Sequence, residues 1–146
     1  TAEAFLRHGR PVFLTRHVDD PASPMRRWWR GAIEPHDARN ELIDEMRPLR
    51  VPVLIKSAYD AFRGTDLDER LGAGRVRQLV VGGIHTHLCC ETTARSAFMK
   101  GFDVFLLADG TATYNETFHR ATLTNLAHGF AVPILCSDVV SAMEAG

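Results

Sequence analysis

The sequence has neither a long apolar run nor an excess of charge of one sign. Its longest apolar segments, residues 78–84 and 104–108, have the length of strands, whereas a membrane-spanning helix requires roughly 20 apolar residues. The formal net charge is -1, which argues against a general nucleic-acid binder and against a protein that lies on a membrane surface. We therefore expect neither nucleic acid nor a membrane among its partners.

Cysteine is scarce, with three residues in 146: Cys89, Cys90 and Cys136. An odd number with two adjacent members does not suit a disulfide framework. Free thiols and a cytoplasmic, reducing location are the simpler interpretation. Each thiol is then available for chemistry, although an ordinary free cysteine is a small buried apolar residue. The length and the 45% of hydrophobic residues predict one globular domain over residues 1–146.

The apolar and polar segments alternate in a way that predicts alternating helices and strands. Helices are predicted at residues 1–8, 38–46, 66–71, 88–100, 116–128 and 137–144, strands at 11–15, 51–55, 78–84, 103–107 and 132–135, and a long loop at 17–36. Strands that are apolar throughout indicate burial on both faces, as in a parallel sheet covered by helices. The predicted fold class is α/β, a doubly wound, mostly parallel sheet in a three-layer, Rossmann-like sandwich.

One predicted feature departs from that architecture. The chain opens in a helix with no strand before it, whereas a doubly wound fold normally starts with a strand in the centre of the sheet. We therefore expect that the domain is incomplete at its N-terminal side and that the first central strand is missing from this chain.

The segment around Cys89 carries the strongest chemical signal. A buried strand ends, a tight turn follows, and Cys89 falls in the first turn of the next helix. The partial positive charge of a helix start favours thiolate over thiol, and unpaired N–H groups there can hold an oxyanion. Lys56 ends another strand and should project into the same crevice, where an ammonium stabilises a thiolate. A chance pairing of the two residues remains the alternative on this pattern alone.

Two motifs add a resemblance to a known family. Residues 86–97, THLCCETTARSA, resemble the cysteine motif T-D-x-C-V-x-x-T-A-R-D-A of the isochorismatase-like cysteine hydrolases. Residues 56–67, KSAYDAFRGTDL, resemble the family's lysine motif K-x-x-Y-S-A-F-x-G-T-x-L. Asp109 and residues 116–119, ETFH, are similar to its later D-A and E-x-x-H. The resemblance implies that Cys89 is the nucleophile and Lys56 the second member of an Asp-Lys-Cys triad.

The sequence departs from the family pattern at three places. The triad aspartate belongs to a first-strand motif that this chain does not contain, which agrees with the missing strand. His87 stands where the family usually has Asp, and Cys90 where it has Val. The resemblance also implies a non-proline cis peptide bond between Ile84 and His85, with the backbone amides of His85 and Cys89 forming the oxyanion hole.

Five side chains are candidates for substrate binding: Trp28, Tyr59, Phe62, His85 and His87. Core packing for Phe62 and ordinary hydrogen-bonded roles for the histidines remain alternatives. Two histidines are too few for a zinc site, so we expect no metal and no cofactor. Trp28 lies among the arginines of a loop, which suits a cover over the site or an oligomer contact better than a nucleic-acid patch.

The sequence thus predicts a hydrolase that acts on C–N bonds other than peptide bonds. Its substrate would be a small amide, carbamoyl or imide compound, cleaved through a thioester intermediate. The alternatives are a non-catalytic scaffold protein, an isochorismatase-type vinyl-ether hydrolase, and a redox-sensing thiol. The resemblance further implies a homo-oligomer, either a dimer or a tetramer.

Overall fold

The computed structural model describes residues 1–145. Five strands alternate with six α-helices along the chain. In order they are α1 Ala2–Arg7, β1 Leu14–His17, α2 Pro24–Trp28, β2 Val53–Lys56, α3 Leu67–Ala73, β3 Gln78–Ile84, α4 Glu91–Met99, β4 Asp103–Ala112, α5 Glu116–Gly129, β5 Val132–Ile134 and α6 Cys136–Ala145.

The five strands form two parallel sheets. β1 pairs with β2, so that His17 lies opposite Lys56 at the carboxyl ends of both strands. β4 lies between β3 and β5 in the second sheet. Helices that connect parallel strands confirm the predicted α/β class with its helix-covered sheet. Within residues 1–145, β1 and β3 are both end strands, and the missing central strand remains a prediction.

Local signals explain where the main helices begin and end. The Asn115 side chain accepts a hydrogen bond from the Phe118 N–H at 3.0 Å and caps the start of α5. Gly101 follows α4 with a φ of +91°, a left-handed conformation that costs least without a Cβ. The sequence therefore predicted both helices to within a few residues.

The hydrophobic core lies where α3, α4 and α5 cover the second sheet. Ala94 and Ala97 on α4 are fully buried, and their small side chains permit a close approach to β4. Leu106 of β4 and Leu126 of α5 are also fully buried. Phe62 belongs to this core, since its side chain is 8% exposed and its ring stacks on Phe102 at 6.1 Å.

The structure corrects the predicted elements in the first third of the chain. The strand expected at 11–15 is β1, Leu14–His17, and the helix expected at 38–46 is wrong. A 3-10 turn, Ala38–Asn40, occupies its start, because the Asn40 side chain and carbonyl oxygen turn inward to accept hydrogen bonds from Arg16. Polar side chains that bond nearby backbone compete with a continuing helix.

Three further expectations also need correction. The loop at 17–36 contains α2, which Ser23 caps and Pro24 begins, a start signal that the sequence offered. The helix expected at 66–71 is α3, Leu67–Ala73, which continues through Gly72. β4 continues to Ala112, five residues further than predicted.

Burial on both faces was expected for every strand and does not hold for β2. Leu54 and Lys56 are buried, whereas Val53 is 38% and Ile55 52% exposed. Side chains alternate between the two faces of a strand. In the part of the chain that the structure describes, one face of β2 is therefore packed and the other is open.

Gly110 in β4 gives a test of the packing between β4 and α6. A Cβ there would lie 2.7 Å from Leu107 Cβ and 2.9 Å from Cys136 Sγ. We expect Gly110→Ala to lower the free energy of unfolding by about 1–3 kcal/mol, since overpacking forces its neighbours to move. Urea denaturation followed by circular dichroism measures the change.

Gly72→Ala is the matched control for Gly110→Ala. A Cβ at Gly72 meets nothing within 4 Å, and alanine in a helix interior should raise the stability by about 0.5–1 kcal/mol. Equal unfolding midpoints for the two variants would contradict the packing described for β4.

Candidate active site

Lys56 and Cys89 meet between the two sheets. Lys56 ends β2 with 4% of its surface exposed. Its ammonium donates a hydrogen bond to Cys89 Sγ at 3.2 Å and another to the Ala58 carbonyl oxygen at 2.8 Å. Among residues 1–145 no carboxylate forms an ion pair with it. The thiol is thus the polar side chain closest to a buried positive charge.

A turn between β3 and α4 presents Cys89 to the lysine. The peptide bond between Ile84 and His85 is cis, as the resemblance implied. The segment Thr86–Cys90 then forms a single π-helical turn that leads into α4. Its first residue, Thr86, is fully buried, and its hydroxyl forms a hydrogen bond of 3.1 Å with His119 Nδ1. The turn is therefore anchored to α5.

The two adjacent cysteines lie in different environments. Cys89 is half-buried and faces Lys56, whereas Cys90 points into the core and is 4% exposed. Burial and, to a smaller extent, the neighbouring Cys89 raise the pKa of the Cys90 thiol to about 12, against the opposing effect of Lys56. At neutral pH Cys90 is consequently a protonated thiol, and it lacks the contact that Cys89 has.

A cavity of about 500 Å³ is lined by sequence neighbours of this pair, although neither Lys56 nor Cys89 itself lines it. Leu88 directly precedes Cys89, and Tyr59 follows three residues after Lys56. The lining is aromatic and apolar, and consists of Pro24, Met25, Trp28, Trp29, Tyr59, His87, Leu88 and Phe118. Three of the predicted substrate-binding residues, Trp28, Tyr59 and His87, are thus brought to one surface.

The other two predicted substrate-binding side chains are elsewhere. Phe62 packs in the core against Phe102, and an aromatic ring that lies under its neighbours cannot line the cavity. The His85 side chain stacks on Tyr114, with ring centroids 4.5 Å apart. Burial lowers the pKa of His85, and the nearby His87 adds to that shift. His85 therefore favours the neutral form. Its side chain is not among those that line the cavity.

His87 forms a fixed part of the cavity wall. Its ring stacks on Phe118 with centroids 4.4 Å apart and planes 9° apart. Its Nδ1 forms a hydrogen bond of 2.6 Å with Thr113 Oγ1. These two contacts set the orientation of a residue that stands where the family pattern usually has Asp.

The loop over the cavity contributes residues that sequence reasoning missed, Trp29 and Met25 among them. Trp29 Nε1 donates a hydrogen bond to the Tyr59 hydroxyl at 2.5 Å, which joins the loop to the segment after Lys56. The ends of the loop are held by Asp19 and Ile33, whose backbones bond at 2.9 Å. The cap signal at the start of α2 could have shown that Met25 and Trp28 share one side of a helix.

The Asp19 carboxylate is the anchor at the base of this loop. Burial opposes its charge, but hydrogen bonds from the Ile33 N–H and from His17 Nε2 lower its pKa below the usual value. An ionised Asp19 therefore holds both ends of the loop together.

Among residues 1–145, no group of three or more His, Cys, Asp or Glu side chains is placed to hold a metal ion. Likewise, none of the helices in this range has the length and apolar character needed to cross a membrane.

Comparisons with known proteins place this chain among relatives of one family. The family model of the isochorismatase domain matches residues 1–138. Nicotinamidase 3 of Arabidopsis thaliana is 42% identical over 146 residues, which cover 95% of this chain and 74% of that protein. Enterobactin synthase component B of Escherichia coli is 27% identical over 93% of this chain and 50% of its own length.

Solved structures resemble nearly all of this chain, which spans about three quarters of their length. A cysteine hydrolase from Pseudomonas syringae superposes with a TM-score of 0.90 at 26% identity, covering 98% of this chain and 76% of that one. An N-carbamoylsarcosine amidase from Thermoplasma acidophilum gives 0.78 at 30% identity, covering 91% and 76%.

Fold and comparisons together define a hydrolase of the α/β class with parallel strands covered by helices. The chain belongs to the isochorismatase family. This confirms the resemblance seen in the two motifs and the prediction of an isochorismatase-like hydrolase.

The different environments of the two cysteines give a direct test. A thiol with a pKa of about 12 is ionised to roughly one part in ten thousand at pH 8. We expect iodoacetamide to modify Cys89 in the native protein and to leave Cys90 unmodified until guanidinium unfolds the chain. Mass spectrometry of the Cys89→Ala and Cys90→Ala variants separates the two positions, and native labelling of Cys90 in Cys89→Ala would contradict the burial described.

Proposed function

We propose that the protein hydrolyses the C–N bond of a small amide, carbamoyl or imide compound, with Cys89 as nucleophile and Lys56 as its partner. The observation that carries this proposal is the contact of 3.2 Å between Lys56 Nζ and Cys89 Sγ. Two similar proteins support it by name, a nicotinamidase and an N-carbamoylsarcosine amidase, since both names denote cleavage of a C–N bond outside peptides.

The first half of the reaction forms a thioester. The Cys89 thiolate attacks the carbonyl carbon, and the carbonyl oxygen takes up the electron pair as an oxyanion. The backbone N–H groups of His85 and Cys89 stabilise that charge. When the carbonyl re-forms, the C–N bond breaks, and the leaving nitrogen takes a proton from the Lys56 ammonium.

The second half returns the enzyme to its starting state. Water attacks the thioester, the C–S bond breaks, and the acid leaves while Cys89 returns to the thiolate. The proton lost by the water passes by way of a carboxylate to Lys56. Lys56 thereby regains the proton that it gave to the leaving nitrogen. The resemblance assigns that carboxylate to an aspartate outside residues 1–146. The buried ammonium of Lys56, which forms no ion pair with a carboxylate of residues 1–145, supports the assignment.

The cavity indicates the shape of the group attached to the carbonyl. None of its eight lining residues is Asp, Glu, Lys or Arg, so a charged group there would lose hydration without gaining a counter-charge. Phe118, His87 and the two tryptophans offer flat surfaces for stacking. We propose a substrate with a flat, uncharged group next to the amide.

Cys89→Ala tests the nucleophile. We expect at least about a thousandfold loss of kcat, because no other group can form the covalent intermediate, with an unchanged circular dichroism spectrum. Ammonia release from a panel of small amides and carbamoyl compounds identifies a substrate and measures the loss. Cys90→Ala, one position away and outside the site, should keep its turnover, whereas an active Cys89→Ala enzyme would disprove this mechanism.

Phe118→Ala tests the role of the cavity. Loss of one stacking surface should raise KM for a flat amide such as benzamide by about five- to tenfold and leave KM for acetamide nearly unchanged. Phe98→Ala is the matched control, since Phe98 and Phe118 are both 45% exposed but Phe98 packs on Phe130. Equal effects of the two substitutions on benzamide would argue against this cavity as the binding site.

A further inference from the structure

One hydroxyl joins the helix after the nucleophile to the segment after the lysine. Thr93 lies on α4, four residues after Cys89. Its Oγ1 accepts a hydrogen bond from the Ala61 N–H at 3.0 Å and donates one to the Tyr59 carbonyl oxygen at 3.3 Å. A single side chain thus binds two backbone groups more than 30 positions away in the sequence.

The segment that Thr93 holds is the one that carries the lysine. Lys56 begins it, and its ammonium bonds the Ala58 carbonyl oxygen as well as Cys89 Sγ. Since β2 and β3 belong to different sheets, no backbone ladder between these two strands fixes the distance from lysine to thiol. Side-chain bonds between residues 56–61 and α4 therefore help to set that distance.

We infer that Thr93 is a positioning residue for the reaction. It holds residues 57–61 against α4, and so keeps the Lys56 ammonium beside Cys89 and Tyr59 on the cavity wall. This inference rests on the roles proposed above for Cys89 and Lys56. Thr93 itself does not line the cavity and acts through these neighbours.

The size of the effect follows from Coulomb's law. For two charges about 3–4 Å apart at an effective dielectric constant of about 20, an extra separation of about 1 Å weakens the attraction enough to change an equilibrium by roughly four- to tenfold. A small movement of the segment is therefore enough to reduce the thiolate that Lys56 stabilises.

The experiment compares three variants, with iodoacetamide as the probe and mass spectrometry reading Cys89. Thr93→Val removes the hydroxyl and keeps the shape, Thr93→Ser keeps the hydroxyl, and Thr92→Val makes the same change on the neighbouring residue. The Thr92 hydroxyl has no hydrogen-bond partner within the described chain. Rates are measured from pH 6 to pH 10.

We expect iodoacetamide to alkylate Cys89 about tenfold more slowly in the Thr93→Val variant than in the wild type at pH 7. The rate should return to the wild-type value in alkaline solution, where the thiol ionises without help. Thr93→Ser and Thr92→Val should stay within about twofold of the wild-type rate at every pH. In a Lys56→Met background, Thr93→Val should have no further effect, because the hydroxyl acts through the lysine. If Thr93→Val instead loosened the whole fold, it would change the alkylation rate of Cys89 in the Lys56→Met background as well.

If Thr93→Val is folded and its Cys89 is alkylated at the wild-type rate at pH 7, the inference is wrong. If Thr93→Val is not folded by circular dichroism, Thr93→Ala takes its place with the same expectation. If neither folds, the hydroxyl serves the fold as a whole and the inference is again wrong. Alkylation needs no substrate, so its outcome is independent of the Cys89→Ala test of turnover, and either proposal can fail without the other.

Discussion

The contact between Lys56 and Cys89 is the interaction on which the rest of the site depends. An ammonium that is 4% exposed has lost most of its hydration and needs a negative or polar partner. The thiol at 3.2 Å can become that partner by losing its proton. The same contact links the end of β2 to the turn after β3 and prepares a nucleophile, while the Thr93 bonds and the shared core also hold the two sheets together.

The cavity is assembled around that contact by short-range bonds. The Asp19 and Ile33 backbones close the loop that carries α2, and Trp29 ties this loop to Tyr59. Tyr59 belongs to the segment that starts at Lys56, and Leu88 directly precedes Cys89. The aromatic surface is thus built from residues close in sequence to the reactive pair or bonded to its neighbours. A shift of the segment after Lys56 or of the turn that holds Cys89 would change both the cavity and the contact between Lys56 and Cys89.

The sequence predicted the pair because the rule behind it is geometric. Functional side chains of parallel α/β folds gather at the carboxyl ends of the strands, and Lys56 ends β2 while Cys89 comes soon after β3. The loop before β2 obeys no such rule. Its short turns depend on individual bonds such as those from Arg16 to Asn40, which no periodicity reveals. The prediction that Phe62 binds substrate was wrong for a related reason, since a position close in sequence to Lys56 does not show which way the ring points.

The adjacent cysteines show why a motif alone stops short of a mechanism. Successive residues of a helical turn point about 100° apart, so Cys89 and Cys90 cannot both face Lys56. One thiol meets the positive charge of Lys56, and the other meets the core, where burial raises its pKa to about 12. The residue types alone leave two candidate nucleophiles. The conformation of the turn Thr86–Cys90 distinguishes them, because it directs Cys89 to Lys56 and Cys90 into the core. The reactivity of Cys89 is in this sense a property of the turn, of Lys56 and of the contacts that hold them together.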